Sequence, residues 1–364
     1  MKKINQPIRL GLIGCGKVAV NWHLPALASL QGIKVIAAAD TDQKRLELVR
    51  DKFRIKTIFL DYRELLSDKS IEAVAVCVPT HLHCEVGLTV LEGGKHLFLE
   101  KPLAVSLDEA DRLIKQAART DKKVMLGFNK RWHRLVRRAK QAIQQNRLGP
   151  VSLINAVYST GHYKRHVPEW RRHRQQGGGT LIEIGSHIFD MWHFLLQDNI
   201  DEVYAFSGSK NKSDDEPVIV SARSSGGMLL NCVLSDFLPE KNKLEIFGQD
   251  YCLSISLHRF EAFELMPLHS CDGQISNRIR GMGRFLKELP QGILQARYGG
   301  DYNASFRSQW QHFIDCIRHD RKIESTLEDG QRALRIALAA IESISTGKKI
   351  RVSEAPRKIR VPAT

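Results

Sequence analysis

The stretch that decides the fold is IRLGLIGCGKVA, residues 8–19, read together with IKVIAAAD, residues 33–40. Residues 8–13 form a short apolar run of strand character that stops at Gly14-Cys15-Gly16, and a helical pattern follows. The spacing is Gly14-x-Gly16-x-x-Ala19, with Asp40 closing the next apolar run. In such a loop the first glycine permits the tight turn and the second lets the backbone approach a pyrophosphate at a helix N-terminus. The small third residue allows close helix–strand packing. Lys17 and Val18 complete the turn. The same spacing also fits a plain tight turn; the order strand, turn, helix, strand, acid is what favours a dinucleotide. A carboxylate at Asp40 accepts hydrogen bonds from a ribose diol and repels a 2′-phosphate, so the expected cofactor is NAD. Lys44 and Arg45 stand close enough in sequence to keep NADP open.

Working outward, apolar runs at 71–79, 96–100 and 123–128 alternate with helical patterns at 41–53, 83–94 and 106–120. Ser106 is a good N-cap with acids in the turn after it. Strands this continuously apolar, separated by helices, imply a parallel sheet covered on both faces. From residue 151 the rhythm changes to strand-like runs at 151–160, 202–209, 218–225, 228–237, 243–248 and 251–257, joined by short turns such as Gly226-Gly227. That pattern implies a largely antiparallel sheet. Residues 257–304 carry no readable period, two amphipathic helices are expected at 305–320 and 327–345, and the last dozen residues read as a loose tail or edge segment. The expected architecture is α/β: a dinucleotide-binding domain over 1–128 and, over 129–364, a substrate-binding and oligomerisation domain with a large, mostly antiparallel open sheet. A chain of 364 residues is longer than one core usually organises.

Composition narrows the class. With 43% hydrophobic and 26% charged residues the chain reads as an ordinary globular protein, and no apolar run approaches the roughly 18 residues a membrane helix needs. The opening MKKINQPIRLGLIGCG runs straight into the glycine turn and is not expected to be a signal peptide. Seven scattered cysteines (15, 77, 84, 232, 252, 271 and 316) without a CxxC pair suit buried thiols in a reducing, cytoplasmic setting. The histidine groupings 81/83 and 162/166/173 lack the cysteine or carboxylate pattern of a metal site, and no metal is expected. The net charge of +15 is concentrated at 129–147 and 163–174. The first of these has helical spacing, with Trp132, Leu135, Val136, Ala139 and Ile143 on one side, so its charge reads as a solvated face rather than a nucleic-acid surface.

FLEKPLA, residues 98–104, puts Glu100, Lys101 and Pro102 at the tip of a buried-looking strand. If the strands are parallel, this is the carboxyl edge, where ligands bind in open α/β sheets. Pro79 and Thr80 end the preceding run at the same edge. Together with the glycine loop and the downstream GGG…GSHIFD at 177–190, the E-K-P motif resembles the Gfo/Idh/MocA family, typified by glucose–fructose oxidoreductase and inositol 2-dehydrogenase. The resemblance runs from Ile8 to about Ser345. It implies a Rossmann domain, an open-sheet C-terminal domain, NAD(P)-dependent hydride transfer at a CH–OH group of a sugar, cyclitol or derivative, and a homodimer or homotetramer.

In the segment 180–196, Glu183, His187 and Asp190 are spaced i, i+4, i+7, which places them on one face of a helix. An acid one turn from a histidine can support a general base, and equally a structurally satisfied histidine. The resemblance assigns His187 as the proton acceptor and Lys101 as its partner, with Glu183 where relatives carry a substrate-positioning aspartate. Asp190 and His193 read as structural. The basic, aromatic stretch before this helix, with Tyr163, Arg165 and Trp170, suits an acidic or nucleotide-linked sugar, since guanidinium forks favour carboxylate or phosphate. Two rival readings share the motifs: a redox-neutral glycosidase that retains its NAD, and a non-enzymatic NAD-binding regulator. A sensor has no use for an intact Lys101/His187 pair.

Overall fold

The structure is a computed structural model that describes residues 6–161, 168–208, 216–269 and 275–359. The chain divides into two compact units.

The first unit holds a six-stranded sheet in the order β3-β2-β1-β4-β5-β6, built from β1 (Ile8–Ile13), β2 (Ile33–Ala39), β3 (Thr57–Phe59), β4 (Ala73–Val76), β5 (His96–Leu99) and β6 (Val124–Leu126). Every pairing is parallel. The helices between the strands are α1 (Leu24–Ala28), entered through a π-helical turn at Ala19–His23, α2 (Gln43–Phe53), α3 (Tyr62–Ser67), α4 (His83–Glu92) and α5 (Leu107–Ala117). β4 is solvent-free at all four residues, the burial expected of a strand covered on both faces. Asp42, Asp61 and Ser106 cap α2, α3 and α5 by accepting backbone N–H bonds. β3 and α3, too short to show a period, went unread in the sequence.

The second unit is an eight-stranded sheet in the order β13-β12-β11-β7-β10-β9-β8-β14. Its strands are β7 (Val151–Ser159), β8 (Ile200–Ser207), β9 (Val218–Ser224), β10 (Leu229–Ser235), β11 (Lys241–Gly248), β12 (Tyr251–Ser256), β13 (Phe263–Pro267) and β14 (Ile350–Arg351). All pairs are antiparallel except β7–β10. Strict alternation sets the two faces: Val218, Val220 and Ala222 of β9 are buried while Ile219, Ser221 and Arg223 are exposed. α6 (Arg134–Gln144), α7 (Thr180–Glu183) and α8 (Gly185–Leu196) pack on the buried side.

The remaining helices are α9 (Ile275–Ala296), α10 (Asp301–His319) and α11 (Leu327–Thr346). α9 lies where no pattern was expected, because Gly281, Gly283, Pro290 and Gly292 interrupt its sequence. The first unit extends to Asn129 and also takes in residues 175–177 and 306–334, beyond the 1–128 expected from the change of rhythm along the chain. Those returning residues supply a core of their own: Trp310 stacks on Phe98 at 4.1 Å, and both meet Phe313 edge-on. Among the described residues no helix is long and apolar enough to cross a membrane.

Candidate active site

Because β2, β1, β4 and β5 are adjacent and parallel, the segments that follow them share one edge. The glycine loop follows β1, Asp40 follows β2, Pro79 and Thr80 follow β4, and Glu100 with Lys101 follows β5. The first unit therefore brings together all of its sequence-predicted site residues at the carboxyl ends of its strands, where open α/β sheets bind ligands.

At Gly14, φ is +92° and a Cβ would stand 2.5 Å from the Cys77 carbonyl oxygen, so only glycine fits. A Cβ on Gly16 would meet nothing within 4 Å, which leaves the backbone open to a ligand. Lys17 is exposed, Val18 is 39% exposed despite being apolar, and Ala19 is fully buried against the sheet. Asp40 accepts from the Cys15 N–H (2.7 Å) on Oδ2 and from the Asp42 N–H (2.9 Å) on Oδ1, which fixes the carboxylate to the loop. Arg45 Nη1 lies 3.9 Å from Asp40 Oδ2. Burial, and then the charge of Asp40, push the Cys15 thiol up to about 12, so it has no nucleophilic role. Pro79 precedes a 3-10 turn whose first residue, Thr80, is buried. Glu100 Oε2 accepts the backbone N–H of Lys101 (3.1 Å). The Lys101-Pro102 peptide is cis.

The second unit carries the other predicted residues. The helix expected from residue 180 is α7 followed by α8, with Ile184 at the junction. His187 is buried in α8, its ring 6.2 Å from and edge-on to that of Tyr158 on β7. Glu183 stands 3.5 Å from Arg171 Nη2, and Asp236 stands 3.6 Å from the same atom. Asp190 pairs with Arg131 inside the protein, with Arg131 Nε 2.9 Å from Oδ2 and Nη2 2.5 Å from Oδ1, as suits a structural residue. His193 Nδ1 lies 2.9 Å from the Asp198 carbonyl at the end of α8. Trp170 sits half-buried in the 3-10 turn Glu169–Arg172. Tyr163 and Arg165 lie outside the described residues.

Three residues near this cluster carried no signal of function in the sequence. Lys130, buried, places Nζ 3.1 Å from the Tyr158 ring centroid. Burial, with smaller contributions from Tyr302 and Asp236, pushes the Tyr158 phenol well above its ordinary range, so it stays a neutral donor. Asp236, at the end of β10, completes the set. Burial opposes the charge on Arg171, and Glu183 and Asp236 together hold it. Among the described residues there is no group of three or more His, Cys, Asp or Glu side chains able to hold a metal ion.

Three family models match the chain in succession: an oxidoreductase family NAD-binding Rossmann fold over residues 8–128, a GFO/IDH/MocA C-terminal domain over 136–253, and an oxidoreductase family C-terminal alpha/beta domain over 274–352. The chain belongs to the Gfo/Idh/MocA oxidoreductase family. As a member of Gfo/Idh/MocA it is an NAD(P)-dependent dehydrogenase. It is 24% identical over 359 residues to the myo-inositol 2-dehydrogenase of Thermotoga maritima, covering 95% of this chain and 99% of that one. It is 28% identical over 356 residues to the 1,5-anhydro-D-fructose reductase of Ensifer adhaerens, covering 93% and 97%. The WlbA dehydrogenase from Bordetella pertussis, solved with NADH and UDP-GlcNAcA, has the same fold, with a TM-score of 0.78 at 19% identity over 95% of this chain and 98% of that one. The Gfo/Idh/MocA cofactor suits the residues present: Gly16 leaves room beside the loop, and Asp40 offers a carboxylate already oriented by the loop's own N–H.

Proposed function

We propose that this chain oxidises a secondary alcohol of an uncharged sugar or cyclitol with NAD, or reduces the matching ketone, using Lys101 and His187 as its proton-handling pair. The observation that supports this reading is the common sheet edge, shared by the glycine loop after β1, Asp40 after β2 and Lys101 after β5. When bound, the nicotinamide accepts or returns the hydride. His187 takes the hydroxyl proton, and the Lys101 ammonium donates to the same oxygen and favours the alkoxide. Glu183 and Asp236 accept substrate hydroxyls, and Arg171, pinned between them, holds both in place. Within the second unit's cluster, Arg171 and Lys130 are balanced by Glu183 and Asp236, which supports a neutral polyol over the acidic sugar that the basic stretch suggested. Asp40, braced by two N–H groups, supports NAD over NADP.

The test is an NAD-reduction screen of sugars, inositols, uronic acids and nucleotide sugars. Neutral polyols should give the highest kcat/KM, and Lys101→Ala and His187→Ala should each lower kcat by about 100-fold or more. Turnover of a uronic acid in preference to every neutral polyol would sink the substrate assignment.

A second copy of the chain completes the protein in this reading. On the outer face of the eight-stranded sheet, Phe206, Ile219, Val233 and Val157 form one row across β8, β9, β10 and β7, and Leu229, Leu153 and Phe247 form another. Between them Ser221, Asn231, Asn155 and Glu245 are joined in a hydrogen-bonded ladder, with steps of 3.1, 2.9 and 3.1 Å. A ladder that satisfies itself can be buried, and the flanking apolar rows support self-association through this face. The six free cysteines among the described residues suit a cytoplasmic setting.

A further inference from the structure

The turn that carries Lys101 is held from both sides by histidines that no motif had marked. His23, fully buried, lies between Glu100 and Trp310: its Nε2 is 2.7 Å from Glu100 Oε1, and the Trp310 indole N–H donates to its Nδ1 at 3.0 Å. An indole N–H only donates, so Nδ1 must be the bare nitrogen. The proton then sits on Nε2, pointing at Glu100, and the ring is neutral even though its neighbour is a carboxylate. Phe98, Phe306 and Trp310 present their rings edge-on to the imidazole at 5.2 to 5.7 Å and leave it no second orientation.

Glu100 passes the constraint on. Its Oε1 accepts a hydrogen bond from the His23 Nε2–H and its Oε2 accepts one from the Lys101 backbone N–H. Gly127 faces it from the end of β6, where a Cβ would come within 2.7 Å of Glu100 Oε1. Three hydrogen bonds therefore run from α10 to the backbone of residue 101.

His83, also buried, holds the other side. Its Nδ1 lies 2.7 Å from the Pro102 carbonyl oxygen and its Nε2 lies 2.9 Å from that of Val78. Both partners can only accept, so both ring nitrogens must donate, and the ring is an imidazolium. This charge sits at the first residue of α4, where the helix dipole opposes a cation; two short bonds to carbonyls offset that cost. The bridge ties the segment after β4 to the segment after β5.

We propose that His23 and His83 are positioning residues for Lys101, a neutral imidazole and an imidazolium that clamp the 100–102 turn from opposite sides. Neither touches substrate; each acts through the turn, and the kinetic consequence rests on the role given to Lys101 above.

The decisive measurement is histidine side-chain ¹⁵N NMR of the intact protein near neutral pH, with peaks assigned by their loss in His23→Gln and His83→Gln. His23 should show a single proton, on Nε2, and His83 should show two. A proton on His23 Nδ1, or a bare nitrogen on His83, would overturn the assignment. In kinetics, His23→Ala and Trp310→Phe should each lower kcat about tenfold or more, leaving KM and the cofactor dissociation constant unchanged. His23→Gln keeps an uncharged donor for Glu100 and an acceptor for Trp310, and it should recover most of that loss. If Trp310→Phe keeps full kcat, the relay is wrong. If Lys101→Ala keeps full kcat while the NMR holds, the clamp stands and the catalytic role of Lys101 falls.

Discussion

Asp40 shows how one side chain can serve two partners. Its carboxylate is bound to the Cys15 N–H inside the glycine loop, which fixes its orientation before any ligand arrives. In the NAD reading its remaining lone pairs are for the ribose diol, and a hydrogen bond to a charged group contributes about 1.5–3 kcal/mol. Asp40→Ser should therefore raise the KM for NAD by roughly tenfold or more. Arg45, exposed and 3.9 Å away, would be freed to meet a 2′-phosphate, so the KM for NADP should fall. Steady-state kinetics with both cofactors decide this, and an unchanged ratio of the two KM values would refute the role given to Asp40. Residues of this kind were legible because chemistry and spacing coincide: Gly14, Gly16, Ala19 and Asp40 are local, and the sheet order then brings Lys101 to the same edge. Lys130, Tyr158 and Asp236 were not legible. Each is a common residue type in or beside a strand or turn, and only the pairing of β7 with β10 and β11 gives it neighbours.

Among the elements, α6 shows a histidine used as a cap. His133 accepts the Leu135 N–H on Nδ1 (3.3 Å), and its Nε2 faces the Leu257 carbonyl at 3.2 Å, a neutral ring with one bare nitrogen. Burial, opposed by Asp301, holds it down to about 4 from an ordinary 6.5. Between those values the unfolded chain binds the proton and the folded chain does not, so stability is fully present above pH 6.5 and declines as the pH falls toward 4. His133→Asn keeps an acceptor for Leu135, removes the titration and loses the bond to Leu257. It should cost about 1 kcal/mol at pH 7 and flatten the fall in Tm between pH 6.5 and 4. A variant whose Tm fell with pH as steeply as the parent's would exclude His133 as the cause. Periodic helices such as α2, α5 and α11 could be read from sequence, since a single apolar face repeats without a breaker. α9 could not: Arg134 and Arg138 grip Glu288, and Phe260 packs against Phe285 and Gly292, so tertiary contacts override the local preference of three mid-helix glycines and a proline.

For the whole molecule, the two-unit plan followed from the change of rhythm near residue 150, but the return of 306–334 to the first unit did not. An amphipathic helix shows that it has a core to cover and does not show which core. Self-association belongs to this scale as well, because it depends on a face assembled from strands distant in sequence. Ile219 is 42% exposed at the middle of β9, between Phe206 and Val233 in its row. A two-fold pairing of this face would place each Ile219 in contact with the partner's sheet or beside it. Ile219→Glu puts an unpaired carboxylate there, and burying such a charge costs several kcal/mol, enough to weaken association by about 100-fold or more. It points away from the core formed by Val218 and Val220, so thermal stability measured on the monomer should be unchanged. Light scattering across a dilution series should give a multiple of 41.3 kDa for the parent and the single-chain mass for the variant. A parent that remains at the single-chain mass at all concentrations would remove the sheet face as an interface, and an associated Ile219→Glu variant would move the interface elsewhere.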